Sequence, residues 1–293
     1  METGTYKDRL GLFVALGYLA LCFILVMMED SGPIQIPAGK DISFLKGIQV
    51  VTSTLLFIVP VAVFCRFLRP ERNAFLNMNA IPRIYYIITA IACIFFALPA
   101  VAGLESWNQK IHLPQFLSGT ETWMRQKETD AEKIYLLFFA DKSTKGLIIN
   151  LLVMALVAAL SEELFFRGLI QQLFMKNKVN VHAAIVITAI LFSAFHLQFF
   201  GFFPRLFLGI VLGYLYYITQ NLWVSIAAHF CNNAFAVISV HLMGDETVGA
   251  PAAGTPTEPQ TIGIAFILLS IAMVAGQLIF LQRFVNRVKP SGD

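Results

Sequence analysis

Three short patterns place ionisable and amide side chains inside otherwise apolar sequence: Ser161-Glu162-Glu163-Leu-Phe-Phe-Arg167, Phe192-Ser-Ala-Phe-His196 and His229-Phe-Cys-Asn232-Asn233. A charge at the centre of a bilayer costs from about 2.5 to well over 10 kcal/mol depending on the method, so such residues usually face a bundle interior or a wet cavity and mark function. Glu163 and Arg167 are i and i+4 with the acid on the N-terminal side, the better order for an ion pair, which assigns them to structure. Glu162 sits about 100° away on the helical wheel and is left as the unpaired carboxylate, the candidate general base. His229 and Asn233 share a helix face and can both donate to one oxygen, which is the geometry of an oxyanion hole. His196 can orient the attacking water with Glu162. Together these groups describe amide hydrolysis without a covalent nucleophile, since neither Ser161 nor Ser193 has a base evidently tied to it.

The elements that must position these groups are membrane helices. Of 293 residues, 57% are hydrophobic and 13% charged, which excludes a soluble domain. The apolar residues gather into runs near the ~20 residues a helix needs to cross a bilayer. Runs at 10–28, 47–68, 83–104, 146–174, 182–200, 203–219, 222–241 and 261–283 predict an all-α, polytopic bundle of about eight transmembrane helices. The first run follows Lys7 and Arg9 but ends in Met-Met-Glu-Asp without a small-x-small cleavage site, so it reads as a membrane helix and not a signal peptide. The polar interval 105–133 reads as an external loop, and Ile134 to Ala140, too short to span, as an interfacial piece. The Gly/Ala/Pro-rich stretch 249–256 reads as a flexible external loop. Counted at 1.5 Å per residue from the expected cytoplasmic ends, Glu162, His196, His229 and Asn233 lie about 18, 21, 10 and 17 Å deep, in one slab.

Charge reports topology. Arg66, Arg69, Arg72 and Arg83 flank one loop, Lys176 and Lys178 another, and Arg283, Arg287 and Lys289 mark the tail; with Lys7 and Arg9 they place both termini in the cytoplasm of an integral, multi-pass protein, with the plasma membrane the expected location. The net charge of +3 forms no basic face with interleaved aromatics, so nucleic acid is not an expected partner. Cys22, Cys65, Cys93 and Cys231 lie inside apolar runs without metal-ligand spacing. Phe165, Phe166, Phe192, Phe195, Phe199, Phe200, Phe202 and Phe203 read first as packing aromatics and second as the lining of an acyl or prenyl groove.

The three patterns, in this order on successive helices, resemble the motifs of the CPBP (CAAX protease and bacteriocin-processing, or abortive-infection) intramembrane proteases, which include the type II CAAX prenyl endopeptidases. The resemblance covers roughly 146–241 and defines three parts: 1–145, N-terminal membrane helices and an external loop; 146–241, the catalytic core; 242–293, an external loop, a last helix and a tail. It implies that Glu162 and His196 activate the hydrolytic water, that His229 and Asn233 stabilise the oxyanion, and that Glu163 and Arg167 hold the site together. It also implies a conical cavity open to the cytoplasm, and a membrane-associated or lipidated peptide as substrate. No metal is the expected state; if zinc is bound, its ligands are Glu162, His196 and His229, although HExxH is absent. Two readings from other classes are a proton-coupled transporter, which predicts internal repeats that this sequence does not display, and a non-catalytic scaffold or bacteriocin-immunity protein.

Overall fold

The computed structural model describes residues 2–28, 42–69, 71–243 and 263–288. The stretch 249–256 and Lys289 lie outside the described residues. Nine helices carry the described fold: α1 (Glu2–Met28), α2 (Ile42–Leu68), α3 (Ile84–Gln109), α4 (Ser118–Phe138), α5 (Thr144–Lys176), α6 (Val181–Phe195), α7 (Phe202–Thr219), α8 (Leu222–Met243) and α9 (Ile264–Val288). Seven of them, all but α4 and α6, are long and apolar enough to cross a membrane, so the all-α, polytopic expectation holds.

The fifth expected span, 182–200, is shorter than its run of apolar residues suggests. Asn180 caps the start of α6, its side chain accepting from the N–H groups of His182 and Ala183. The helix then stops at Phe195, after 15 residues. That is roughly 22 Å, short of the ~30 Å hydrocarbon core. The reason is chemical. His196 turns its ring back so that Nδ1 meets the Phe192 carbonyl at 2.8 Å, the acceptor its own N–H would need to continue the helix. The N–H settles for Ser193 O at 3.3 Å, and Leu197 enters the left-handed region at φ 53°. Apolar residues continue past this break, which is why composition alone extends the span.

The polar interval also differs from expectation. Most of 105–133 and the apolar piece after it form one helix, α4, whose apolar C-terminal turn packs Phe138 and Phe139 on Val237 and Val240 of α8. Its other end is clamped: Glu121 accepts from Leu113 N at 2.8 Å and pairs with Arg125 at 2.7 Å. Arg125, the Leu113 N–H and His112 hold the Glu121 carboxyl down at about 2, so the clamp is charged at neutral pH.

The bundle has two distinct ends. At one, Asp8 pairs with Arg69 and its carbonyl accepts from Asn177 at 3.0 Å, while Asn77 O accepts from Leu222 N at 3.1 Å and the Asn77 amide reaches Tyr216. The Tyr85–Phe284 ring contact brings the end of α9 beside the start of α3. The basic clusters at Lys7/Arg9, Arg66/Arg69, Lys176/Lys178 and Arg283/Arg287 therefore share this end. At the other, Asn150 donates to Phe138 O at 2.9 Å and Asn108 to Phe199 O at 3.0 Å.

In α3, Pro99 interrupts the helix interior, and Ser270 of α9 spans the gap: its hydroxyl accepts from Ala100 N at 3.1 Å and donates to Phe96 O at 2.5 Å. α5 is an unbroken 33-residue apolar stretch that widens into π turns at Leu151–Val157 and Leu164–Gln171. The short regular segment between them carries Glu162 and Glu163, and such π segments are frequent at functional sites. Gly119, exposed on α4, and Lys176, exposed at the end of α5, mark the opposite ends. A membrane-impermeant maleimide is expected to label Gly119→Cys and Lys176→Cys from opposite faces of sealed vesicles. Labelling of both from one face would contradict this arrangement.

Candidate active site

The site is built on a buried charge network. Arg167 donates to Glu163 Oε1 at 2.7 Å, one turn back on α5, and both side chains have 0% exposure. The pairing read from the i, i+4 spacing is therefore present. The guanidinium also donates to Gly209 O of α7 at 3.0 Å and lies over the Phe192 ring of α6, 4.7 Å from its centroid. Gln171, a further turn along α5, repeats the link by donating to Gly213 O at 3.0 Å. The same two glycines let α7 pack closely on α6, because a Cβ at Gly209 would stand 2.9 Å from Ala189 Cβ and one at Gly213 2.8 Å from Ile185 Cγ2. α5 and α7 are thus locked in register by two side chains reaching two backbone carbonyls.

Glu163 faces a third helix as well. His229 Nδ1 of α8 meets Glu163 Oε1 at 2.9 Å. An ionised carboxylate only accepts, so Nδ1 carries the proton and Nε2 is directed away from Glu163. There it stands 3.8 Å from Glu162 Oε2. His196 is fixed in the same sense: Nδ1 faces the Phe192 carbonyl, another pure acceptor, and Nε2 lies 3.8 Å from the same Glu162 oxygen. Both imidazoles converge on Glu162 with their Nε2 edges. Glu162 keeps 14% side-chain exposure and His196 29%, against 0% for Glu163.

That exposure opens into a cavity of about 470 Å³, lined by Glu162, His196, His229, Asn232 and Asn233 together with apolar residues such as Met154, Phe192 and Leu212. All four residues expected to act on the substrate line this one cavity, while Glu163 and Arg167 stand behind it. Asn233 Nδ2 is 3.4 Å from Met154 O, and its Oδ1 accepts from Asn232 at 3.2 Å. Asn232, about 100° from Asn233 on the helical wheel, is in the lining as well, and by occupying the Asn233 carbonyl oxygen it leaves the amide N–H₂, one N–H of which is on Met154 O, as the donor end. The Ser161 hydroxyl is spent on Val157 O at 2.7 Å and that of Ser193 on Phe202 O at 2.7 Å, so neither faces a base. Of the eight phenylalanines offered for a groove, Phe192 alone is among the cavity-lining residues; Phe165 and Phe166 lie in the core with Phe57.

The bend that carries His196 is held by residues the sequence patterns did not single out. Asn108 of α3 donates to Phe199 O and accepts from Phe203 N, both at 3.0 Å. Arg125 of α4 lies 4.3 Å over the Phe200 ring and Trp123 packs on Phe199. Arg205, in the first turn of α7, donates to Gln198 O at 3.0 Å and also to its side-chain oxygen. Arg205 falls inside an expected span but near its start, where a charge is unremarkable, and so it gave no signal.

The cavity runs from the Glu162 cluster toward α4, which contributes Ala131, Ile134, Tyr135 and Phe138 to its wall. It therefore occupies the end of the bundle opposite the basic clusters. The cytoplasmic opening implied by the resemblance and the cytoplasmic basic ends given by charge exclude each other.

The donor types, one carboxylate and two imidazoles, are those that zinc takes. Around a tetrahedral zinc with bonds of about 2.0–2.1 Å, neighbouring ligand atoms stand roughly 3.4 Å apart. Both Glu162–histidine separations are wider, and among the described residues no group of three or more His, Cys, Asp or Glu side chains is placed to hold a metal ion.

Removing one partner of the dry pair leaves the other's charge buried without a counter-charge, at a cost of about 3–5 kcal/mol. Glu163→Gln and Arg167→Met are expected to lower the thermal unfolding midpoint in detergent, whereas Glu162→Gln, which breaks no contact shorter than 3.8 Å, melts close to wild type.

No curated protein and no solved structure matches the chain. Residues 144–235, the segment that holds Glu162, Glu163, Arg167, His196, His229 and Asn233, match the family described as Type II CAAX prenyl endopeptidase Rce1-like. The chain is that of an integral membrane protein, and what it shares with that family is the segment 144–235, which carries the site.

Proposed function

We propose that the protein hydrolyses a peptide bond of a membrane-associated or lipidated substrate with a water activated by Glu162 and His196, without a metal. The observation that carries this is the convergence of two Nε2 atoms on Glu162 Oε2, each at 3.8 Å. One water fits between Glu162 and His196 with hydrogen bonds of about 2.8 Å to each, which puts the base within reach of the proton it removes.

The water oxygen attacks the scissile carbonyl carbon while its proton passes to Glu162. The carbonyl oxygen becomes an oxyanion and accepts from Asn233 Nδ2 and from His229 Nε2. The latter donates when the ring carries both protons, and Glu163 against Nδ1 at 2.9 Å is the counter-charge of that form. The C–N bond then breaks, and Glu162 returns its proton to the leaving amine. Because Glu163 is shared with Arg167, it cannot swing out to compete for the water.

The positive-inside rule assigns the basic end to the cytoplasm. With that orientation the scissile segment enters from the α4 side, and Lys176→Cys is protected from the impermeant reagent in intact cells while Gly119→Cys is labelled. The reverse pattern restores a cytoplasmic entrance, the side on which prenylated proteins are found.

Cleavage of a fluorogenic hydrophobic peptide panel, with and without a prenyl group, tests the chemistry. Glu162→Gln is expected to lose about 10²–10⁴-fold in turnover, and Asn233→Ala about 10²–10³-fold, both with wild-type melting. A zinc chelator is expected to have no effect. Loss of activity with chelator and recovery with zinc would replace the metal-free mechanism; no turnover by folded wild type across the panel would remove the protease reading.

A further inference from the structure

Arg205 is a cation in the wall of the active-site cavity. It stands in the first turn of the 18-residue α7, the positive end of the helix dipole, where a basic side chain is disfavoured. It is among the residues that line the cavity with Glu162, His196 and Asn233. The hydrogen-bond partners it has are the two oxygens of Gln198, both neutral, and among the described residues no carboxylate lies within salt-bridge distance. Glu105 of α3, Glu128 of α4 and Glu162 act on it through space, but Glu105 and Glu128 are outside the cavity wall. Two of its five N–H donors are thus used on the Gln198 turn.

A guanidinium is a planar fork that matches a carboxylate bidentately, and in a largely apolar cavity such a pair gains strength from the absence of competing water. Among the residues that line this cavity Glu162 is the one carboxylate, and the reaction uses it as the base. Gln198 fixes the fork two residues from His196, so an anion held by Arg205 lies at a set place relative to the reacting water.

We propose that Arg205 is a specificity residue that binds a carboxylate of the substrate inside the active-site cavity, an inference that rests on the protease reading above. Two sources share this chemistry: the free C-terminus of the substrate, and an Asp or Glu side chain near the scissile bond. The Gln198 contact holds the guanidinium ready and is not displaced on binding.

The test uses purified full-length protein in detergent and three otherwise identical hydrophobic peptides: a free acid, its C-terminal amide, and the amide with one Glu introduced near the scissile bond. Wild type is expected to cleave the free acid with a kcat/KM about 10- to 100-fold above the amide, mostly through KM. If the internal Glu recovers the loss, the side-chain carboxylate is the ligand; if it does not, the terminal one is. In Arg205→Gln the acid-to-amide ratio falls to about 1, and in Arg205→Lys it lies between, whatever the absolute rates. Equal cleavage of all three peptides by wild type would overturn the proposal without any variant. So would a ratio unchanged in Arg205→Gln, or an equal fall in kcat for every peptide, which is the signature of a residue that only holds the Gln198 turn. Binding of the same labelled peptides to Glu162→Gln reads the contact without turnover. Tenfold tighter binding of a carboxylate-bearing peptide supports the Arg205 contact even where cleavage fails, and equal binding rejects it even where cleavage succeeds.

Discussion

Glu163 holds four helices to one point, two directly and two through Arg167. It accepts from Arg167 on its own helix and from His229 on α8, and Arg167 carries the link on to Gly209 of α7 and the face of Phe192 on α6. Every member is buried, and in a bilayer no solvent is at hand to replace a lost partner, so an arrangement of the four helices that parts Glu163 from Arg167 leaves a charge stranded. The two α7 residues whose carbonyls Arg167 and Gln171 reach are glycines, and their missing Cβ atoms let α7 close on α6. Here the charges act as a register device first. Their chemical role, orienting His229 by occupying its Nδ1, follows from the same geometry.

The second constraint is the break after Phe195. A helix that ended in lipid would expose carbonyls with nothing to bond them. The α6–α7 bend avoids this by lying against α3 and α4, where Asn108 satisfies a carbonyl and an N–H, Arg125 and Trp123 cover the rings of Phe200 and Phe199, and Arg205 satisfies Gln198. The N-terminal half of the chain therefore has a definite part in the site. α3 and α4 position the turn from which His196 projects, and α4 also walls the cavity.

Much of this was legible in the residues. The i, i+4 spacing of Glu163 and Arg167 predicted their contact and separated them from Glu162, and that of His229 and Asn233 put both on the cavity wall, because helix periodicity is a local property that tertiary packing does not alter. What was not legible came from contacts distant in sequence. The end of α6 is set by a side chain that takes its own helix's carbonyl, and hydropathy, which sums composition, counts straight through it. The helical state of 118–138 was hidden because α4 is too polar to announce a span and is amphipathic over only part of its length. Asn232 was missed through treating a helical wheel as rigid, when neighbouring side chains at 100° can both reach one concave wall. Charge suggested an orientation and the family resemblance an entrance, and only the cavity's place in the bundle made clear that they disagree.

The two adjacent glutamates show how one helix can serve a dry core and a wet chamber. A carboxylate that is to hold a network sits away from water against its counter-charge; one that is to take a proton from water must have an unclaimed oxygen facing a space that water enters. Side by side in sequence, Glu162 and Glu163 project on different faces of the single regular segment between two π turns, with 14% and 0% of their side chains exposed. His229 stands at the boundary, its Nδ1 on the dry carboxylate and its Nε2 toward the wet one. The ring thereby transmits the rigidity of the buried pair to the reacting side. A site built this way can keep its base free without leaving it loose.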